Sequence, residues 1–476
     1  MAQPIDRFYA SVARNPDAVA VRDRERAMSY TELASHVDAL AAALQSLDPA
    51  AGSRVGIRAW NTVEHLIALL ATYAAGKVWV PLNPRNGPAD LDAMMTATSP
   101  SIILTDEAVS ELLSRFAGQR PRRHTRGDED AQIIKFSGGS TGTPKPVVQS
   151  LRCINAQADG LRDFFEFDAT DVNLVAAPLT HGASCFVLPI LEVGGCHVLL
   201  SDAKRDAMRA AIQAHGVTTI YAPPTLLYAL IDGAESLIPG MQSLRHVIYS
   251  AAPMAPARIR ACQRALGAVI ETAYGQVEAP QIITAMRASE LTLDENLESV
   301  GHASSVAAIG VMNDAGELLG PGNIGEIVVR GPLLMSGYLD RPDMTAAAII
   351  DGWLHTGDVG AIDERGYLFI RARMREVINT GGFKVFPGDV EASLLRHPDV
   401  AECAVFGVPD PKWGEAVHAA VVTHSAVSAE ELISFVKSEL GSVKAPKVVH
   451  FVDHLERNAA GKVSRGAVRA AVLNSS

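Results

Sequence analysis

The first hundred residues alternate between two hydrophobic periods. In SYTELASHVDALAAALQSL (29–47) apolar side chains return every three or four positions, as on one face of a helix. Ser29 and Glu32 there have the spacing of a capping box. RVGIRA (54–59) predicts a buried strand, TVEHLIALLATYAAG (62–76) a helix and VWVPL (78–82) a strand, and ADLDAMMTAT (89–98) with SIILTD (101–106) repeats the pair. The same alternation returns at 207–224 and 244–253. Helices alternating with short apolar strands predict doubly wound α/β sheets. After about residue 300 the texture changes. GELLGPGNIGEIVVRGPLLMSGYLDRP is rich in Gly and Pro with short strand-like runs, which predicts a β-rich subdomain. DVEASLLRHPDV, AECAVFGV and AEELISFVKSEL then read as a small α+β unit. The expected organisation is a large N-terminal domain, 1–374, and a small mobile C-terminal domain, 375–476, with the boundary at Arg375.

Composition narrows this picture in three ways. With 476 residues the chain is too long for one small core. A net charge of -11 argues against a general binder of nucleic acid or of anionic membranes. The five cysteines (153, 185, 196, 262 and 403) are scattered without a C-x-x-C pair, as expected of reduced thiols in a cytoplasmic protein. MAQPIDRFYA has neither the basic nor the apolar region of a secretory signal. LIALLATYAAG is roughly half the length that crosses a bilayer, so it reads as a buried helix and no membrane span is expected.

The segment FSGGSTGTPKPVVQS (136–150) carries the first chemical signal. Residues without bulk let a backbone approach a ligand closely, and successive amides can form a concave anion nest. Ser137, Ser140, Thr141 and Thr143 add hydroxyl donors, and Lys145 adds a point charge between Pro144 and Pro146. That is chemistry for phosphate. It is not a Walker A loop, which puts Gly directly before Lys and Ser/Thr directly after it.

The segment resembles the phosphate loop of the adenylate-forming superfamily: acyl- and aryl-CoA ligases, carrier-loading adenylation domains and beetle luciferases. Four further segments follow in that family's order over nearly the whole chain. They are AYGQVEA, GWLHTGDVG, RARMREVINTGGFKVFPGDVE and RNAAGKVSR. The resemblance implies that a carboxylate reacts with ATP to an acyl-adenylate, after which a thiol displaces AMP. It implies that Ser137, Gly138, Gly139, Ser140, Thr141, Gly142, Thr143 and Lys145 hold the β- and γ-phosphates. Tyr274 would stack on adenine, with Ser250, Ala251 and Ala252 on its other face. Glu278 would hold Mg²⁺, a hard cation suited to carboxylate and phosphate oxygens. Asp358 would bind the ribose hydroxyls with help from Arg373. Lys462 would contact the substrate carboxylate and α-phosphate, Arg375 would be the hinge, and Gly381 and Gly382 would line the path of a pantetheine arm. His181 would be the gate between acid pocket and thiol tunnel. Ala183, Tyr221, Ala273, Gly275 and Pro280 would line the pocket.

The sequence departs from the family pattern at Val277, where a phosphate-contacting Thr is usual, at Pro146 and at Glu456. A lost hydrogen bond to a charged group is worth roughly 1.5–3 kcal/mol, so Val277 predicts a slower enzyme unless Gln276 or a water compensates. THGASCF lacks the Asp that in this family holds an amino acid's ammonium, which disfavours amino acids, and the mostly small, apolar pocket positions suit an aromatic or medium-length aliphatic acid. The acceptor is expected to be coenzyme A, with a carrier protein's phosphopantetheine as the alternative. A degenerate nucleotide-binding homologue is the third reading, and Lys145, Glu278, Asp358 and Lys462 argue against it.

Overall fold

The structure is a computed structural model. It describes residues 3–137, 144–457 and 463–474, and all statements of number or absence below concern these. The chain divides into two compact units, residues 1–309 with 329–354, and residues 310–328 with 355–476.

The first unit forms where the sequence alternates. The helix Tyr30–Leu47 starts at the expected capping box: Ser29 Oγ accepts from the Glu32 amide at 3.2 Å, and the Glu32 carboxylate accepts from the Ser29 amide at 2.7 Å. Its inner face buries Leu33, Val37, Leu40 and Leu44 completely. The helix Val63–Ala74 is buried on nearly every side, which is why its sequence reads as an unbroken apolar run. No helix among the described residues is long and apolar enough to cross a membrane.

These helices pack on two sheets. One has six strands, centred on the parallel strands Arg54–Ile57, Val78–Pro81 and Ala131–Ser137. Ala131–Ser137 turns back antiparallel onto Lys145–Ser150, with Ser137 opposite Lys145. The other has nine strands. Its middle holds the parallel neighbours Ile270–Tyr274, His246–Tyr249, Thr219–Ala222 and Val172–Val175, and antiparallel pairs close both edges. Ligands of open parallel sheets bind beyond the carboxyl ends of the strands, because the following loops and helix N-termini gather there.

The second unit carries a five-stranded sheet built from Ile378–Thr380, Phe383–Val385, Val400–Asp410, Gly414–Thr423 and Val448–Phe451. Alternation along a strand sends neighbouring side chains to opposite faces. Val405, Val417, Ala419 and Val421 therefore share a core with the helices Pro387–Leu394 and Ala429–Leu440, while Ala404, Phe406 and Ala420 share another with the helix Arg465–Asn474. Arg465 pins that last helix by donating to both Glu391 oxygens and to Glu376.

Candidate active site

Four predicted stretches of the first unit lie at or just beyond the carboxyl ends of the middle strands of the nine-stranded sheet. His181 follows Val172–Val175, Tyr221 is the third residue of Thr219–Ala222, Ser250 directly follows His246–Tyr249, and Tyr274 ends Ile270–Tyr274. In the turn after Ser250, Ala251 has φ +75°, a left-handed conformation that costs a residue with a Cβ about 1–2 kcal/mol. Strain of this kind is kept where the surrounding structure needs a particular backbone course.

A hydrogen-bonded set links the predicted pocket residues. Gln281 donates from Nε2 to Ser250 Oγ at 2.7 Å and to the Tyr221 hydroxyl at 3.2 Å. Two glycines make room for it. A Cβ on Gly182 would sit 2.2 Å from the Tyr221 hydroxyl, and one on Gly275 would sit 2.6 Å from the Gln281 amide nitrogen. Ala183, Tyr221, Ala273 and Pro280 are buried around these groups, and the Tyr221 ring lies 5.1 Å from that of Phe186. Burial raises the Tyr221 hydroxyl well above an ordinary phenol, so it remains a neutral donor and acceptor.

A second cluster joins Lys145 to Glu278. The two-residue strand Gly337–Tyr338 pairs with Lys145–Ser150, with Tyr338 opposite Val147. The Tyr338 hydroxyl donates to Glu278 Oε1 at 3.0 Å, and the Lys145 ammonium lies 6.0 Å from the centre of the same ring. The Glu278 backbone is held by the Met335 amide at 2.8 Å. Burial and the adjacent Glu278 carboxylate both push the Tyr338 hydroxyl upward, so it donates rather than ionises. Val277, which lacks the expected hydroxyl, presents its carbonyl to Gln149 Nε2 at 2.8 Å. Gln276, weighed as its substitute, donates its amide to the Tyr274 hydroxyl at 3.2 Å.

Within the second unit, Asp358 and Arg373 face one another across antiparallel strands, and Arg373 Nε is 2.9 Å from Asp358 Oδ1. Asp358 is buried and its amide donates to Thr356 Oγ1. Arg375 is exposed in the single turn Met374–Glu376. Gly381 and Gly382 form the two-residue loop of a hairpin with φ +58° and +83°, the sign pattern of a I′ turn. That turn accounts for both glycines by itself, since it needs positive φ at each position. A Cβ on Gly381 would also meet the Trp413 ring at 2.9 Å, whereas none lies within 4 Å of one on Gly382. Gly138, Gly139, Ser140, Thr141, Gly142, Thr143 and Lys462 lie outside the described residues.

Sequence reasoning missed Gln281, Tyr338 and Gln149. Each is one step from a motif residue in space, but Gln281 and Tyr338 are both 60 residues along the chain from the partner they define, Tyr221 and Glu278 respectively. The remaining signal was local: Tyr338 stands in MSGYLDRP, an aromatic within a Gly-Pro-rich stretch.

Most of these residues fall within two known sequence families, while Asp358, Arg373, Arg375, Gly381 and Gly382 lie between the two matched segments. The model of the AMP-binding enzyme family matches residues 8–339, and that of the AMP-binding enzyme C-terminal domain matches residues 389–462. The chain belongs to the AMP-binding enzyme family. Among its relatives, a feruloyl-CoA synthase from Amycolatopsis sp. is 32% identical over 480 residues, covering 96% of each chain. Among solved structures, the o-succinylbenzoate CoA synthetase of Bacillus subtilis with its acyl-adenylate intermediate has a TM-score of 0.90 at 26% identity, over 98% of each chain. The amide bond synthetase of Marinactinospora thermotolerans has a TM-score of 0.89 at 29% identity, over 98% of this chain and 99% of that one.

Proposed function

We propose that the chain is an AMP-forming acid:CoA ligase that activates an aromatic or medium-length aliphatic carboxylic acid. The carboxylate oxygen attacks the α-phosphorus of ATP and pyrophosphate leaves. The CoA sulfur then attacks the acyl carbon, and AMP departs with the electrons of the broken mixed-anhydride bond. The observation that carries this reading is the shared tyrosine of Lys145 and Glu278. It brings a cation for phosphate and a carboxylate for a metal to one side chain.

Such a pair suits displacement at phosphorus, where positioning and charge neutralisation supply most of the rate. Glu278 offers one hard oxygen with a donor fixing its other side, and Mg²⁺ needs little more, because it binds through one or two carboxylates plus substrate phosphates and water. Bound there, Mg²⁺ would neutralise charge on the phosphates. Tyr274 would stack on adenine beside Ser250–Ala252, and Asp358 would hold the ribose with Arg373. Lys462 would meet the negative charge that builds on the α-phosphate. Arg375 would be the hinge that exchanges Lys462 for the pantetheine path at Gly381 and Gly382. The buried set of Tyr221, Gln281 and Ser250 offers neutral donors and no ionised group, which suits an acid whose far end is uncharged.

One solved relative is an amide bond synthetase, and this favours a second reading in which an amine, rather than a thiol, takes the acyl group from the adenylate. Both are tested together by measuring pyrophosphate release from Mg-ATP across aryl, fatty and amino acids, with CoA, a phosphopantetheinylated carrier protein or an amine, and weighing the products. An acyl-CoA thioester is expected. An acyl-carrier product would move the acceptor to a protein, and an amide without thioester would establish the second reading. No adenylate with any acid would overturn the proposal.

A further inference from the structure

A lysine that belongs to none of the family motifs lies beneath the gate segment. Lys135 is in the strand Ala131–Ser137, two residues before Ser137 opens the glycine-rich segment, and it is buried. Its ammonium donates to Ser184 Oγ at 2.8 Å and to the backbone carbonyl of His181 at 3.2 Å, and it lies 5.6 Å from the centre of the Trp79 ring. No ion pair to a carboxylate involves it among the described residues. The ionisable groups that face it are the thiols of Cys153 and Cys185, and burial raises both, Cys153 to about 12, so neither supplies a negative charge at neutral pH. A buried cation without a counter-ion is expensive for the fold, and burial correspondingly lowers this amine's pKa.

Packing alone does not call for a charge at this position. Ser184 Oγ also donates to the His181 carbonyl at 2.8 Å, so an apolar side chain would leave that carbonyl with a partner. What the ammonium adds is a tie between the strand that runs into the phosphate loop and the backbone of the gate residue. The imidazole itself is held from the side, with Nδ1 2.9 Å from Thr180 Oγ1. Directly after it, Gly182 is pressed against the Tyr221 hydroxyl, so a small backbone shift would carry both gate and pocket wall.

We propose that Lys135 is a positioning residue, holding the His181 carbonyl so that the gate imidazole and the phosphate-loop strand keep one fixed separation. This rests on the reading of His181 as the gate. The test uses the full chain and the acid identified by pyrophosphate release, and compares Lys135→Met, His181→Ala and the double variant in pyrophosphate release and in overall thioester formation with CoA. Unfolding midpoints are measured beside them. Misplacement by about an ångström costs up to about 100-fold, so Lys135→Met should lower kcat for thioester formation by about 10- to 100-fold. Its unfolding midpoint should be unchanged or higher, since methionine replaces a buried charge with an apolar chain of similar length. In the double variant Lys135→Met should cost little beyond His181→Ala, because both act through one imidazole. Three results would overturn the positioning role: wild-type kcat in Lys135→Met, a loss that tracks a falling midpoint, or losses that multiply in the double variant. Full activity in His181→Ala would instead remove the gate reading, and this role with it.

Discussion

The molecule buries two lysines, and their surroundings differ in kind. Lys77 is 1% exposed and caps the end of the helix Tyr30–Leu47, donating to the carbonyls of Asp48 and Ala50 and to Ser53 Oγ. Helix C-termini carry partial negative charge, and the Asp48 carboxylate is 3.9 Å away, so this cation meets the potential that stabilises it. Lys135 is 8% exposed and meets one carbonyl, one hydroxyl and an aromatic face. Both amines are shifted downward by burial, and only Lys77 has a carboxylate pulling it back. A buried charge matched to its surroundings serves the fold. One that is not matched has to be explained by the site beside it.

The comparison is sharpened by a third lysine that is not deeply buried. Lys145→Ala removes the charge from the phosphate-loop segment and should cost about 10²- to 10³-fold in pyrophosphate release, with no change in the unfolding midpoint. Wild-type turnover in that variant would mean that the Lys145–Tyr338–Glu278 cluster does not meet the triphosphate. Lys77→Met should do the reverse. It strips a charged donor from two half-buried carbonyls and a hydroxyl, a loss of about 1–3 kcal/mol that denaturant unfolding would read, while kcat per folded molecule stays constant. If Lys77→Met proved neutral for stability, the contrast with Lys135 would collapse.

A smaller effect is expected at Tyr338. Tyr338→Phe keeps the ring beside Lys145 but removes the donor to Glu278. A hydrogen bond to a charged group is worth roughly 1.5–3 kcal/mol at most, so a loss of about 10-fold in adenylation is expected. It should shrink as Mg²⁺ is raised if Glu278 holds the metal. Insensitivity to Mg²⁺ would separate Glu278 from metal binding.

These side chains also mark where reading the sequence stops. The helix Tyr30–Leu47 was legible because its capping box and apolar face are local, and Ser29, Glu32 and the spacing of Leu33, Val37, Leu40 and Leu44 state it within one segment. The pair Gly381 and Gly382 carries an equally local signal, yet it was expected to line the pantetheine path, and the hairpin turn is what the structure adds. The motif residues Tyr274, Glu278 and Asp358 were named by resemblance. Their partners could not be. Periodicity tells which face a residue takes, but not that Tyr338 crosses to Glu278 or that Gln281 spans Ser250 and Tyr221. Lys135 had a signal of its own, a charge inside the apolar run QIIKF, which marks either an edge strand or a buried cation with a purpose.

The pH dependence of stability gives the finest cut between the two lysines. Each amine titrates lower in the folded chain than the ordinary 10.5, so between its folded value and 10.5 the unfolded chain holds more protons. Stability therefore rises with pH across that window, is fully gained above 10.5, and is lost again as pH falls through the folded value. Lys135→Met deletes one such contribution. Its stability measured by denaturant at successive pH values up to 10 should climb less steeply than that of the wild type, and the two curves should lie furthest apart at neutral pH with the variant the more stable. Lys77→Met should also flatten the climb, but from below, because it loses hydrogen bonds that hold at every pH. Parallel curves for Lys135→Met and wild type would mean that the Lys135 amine keeps an ordinary proton affinity, and the argument from an unmatched charge would then have to be given up.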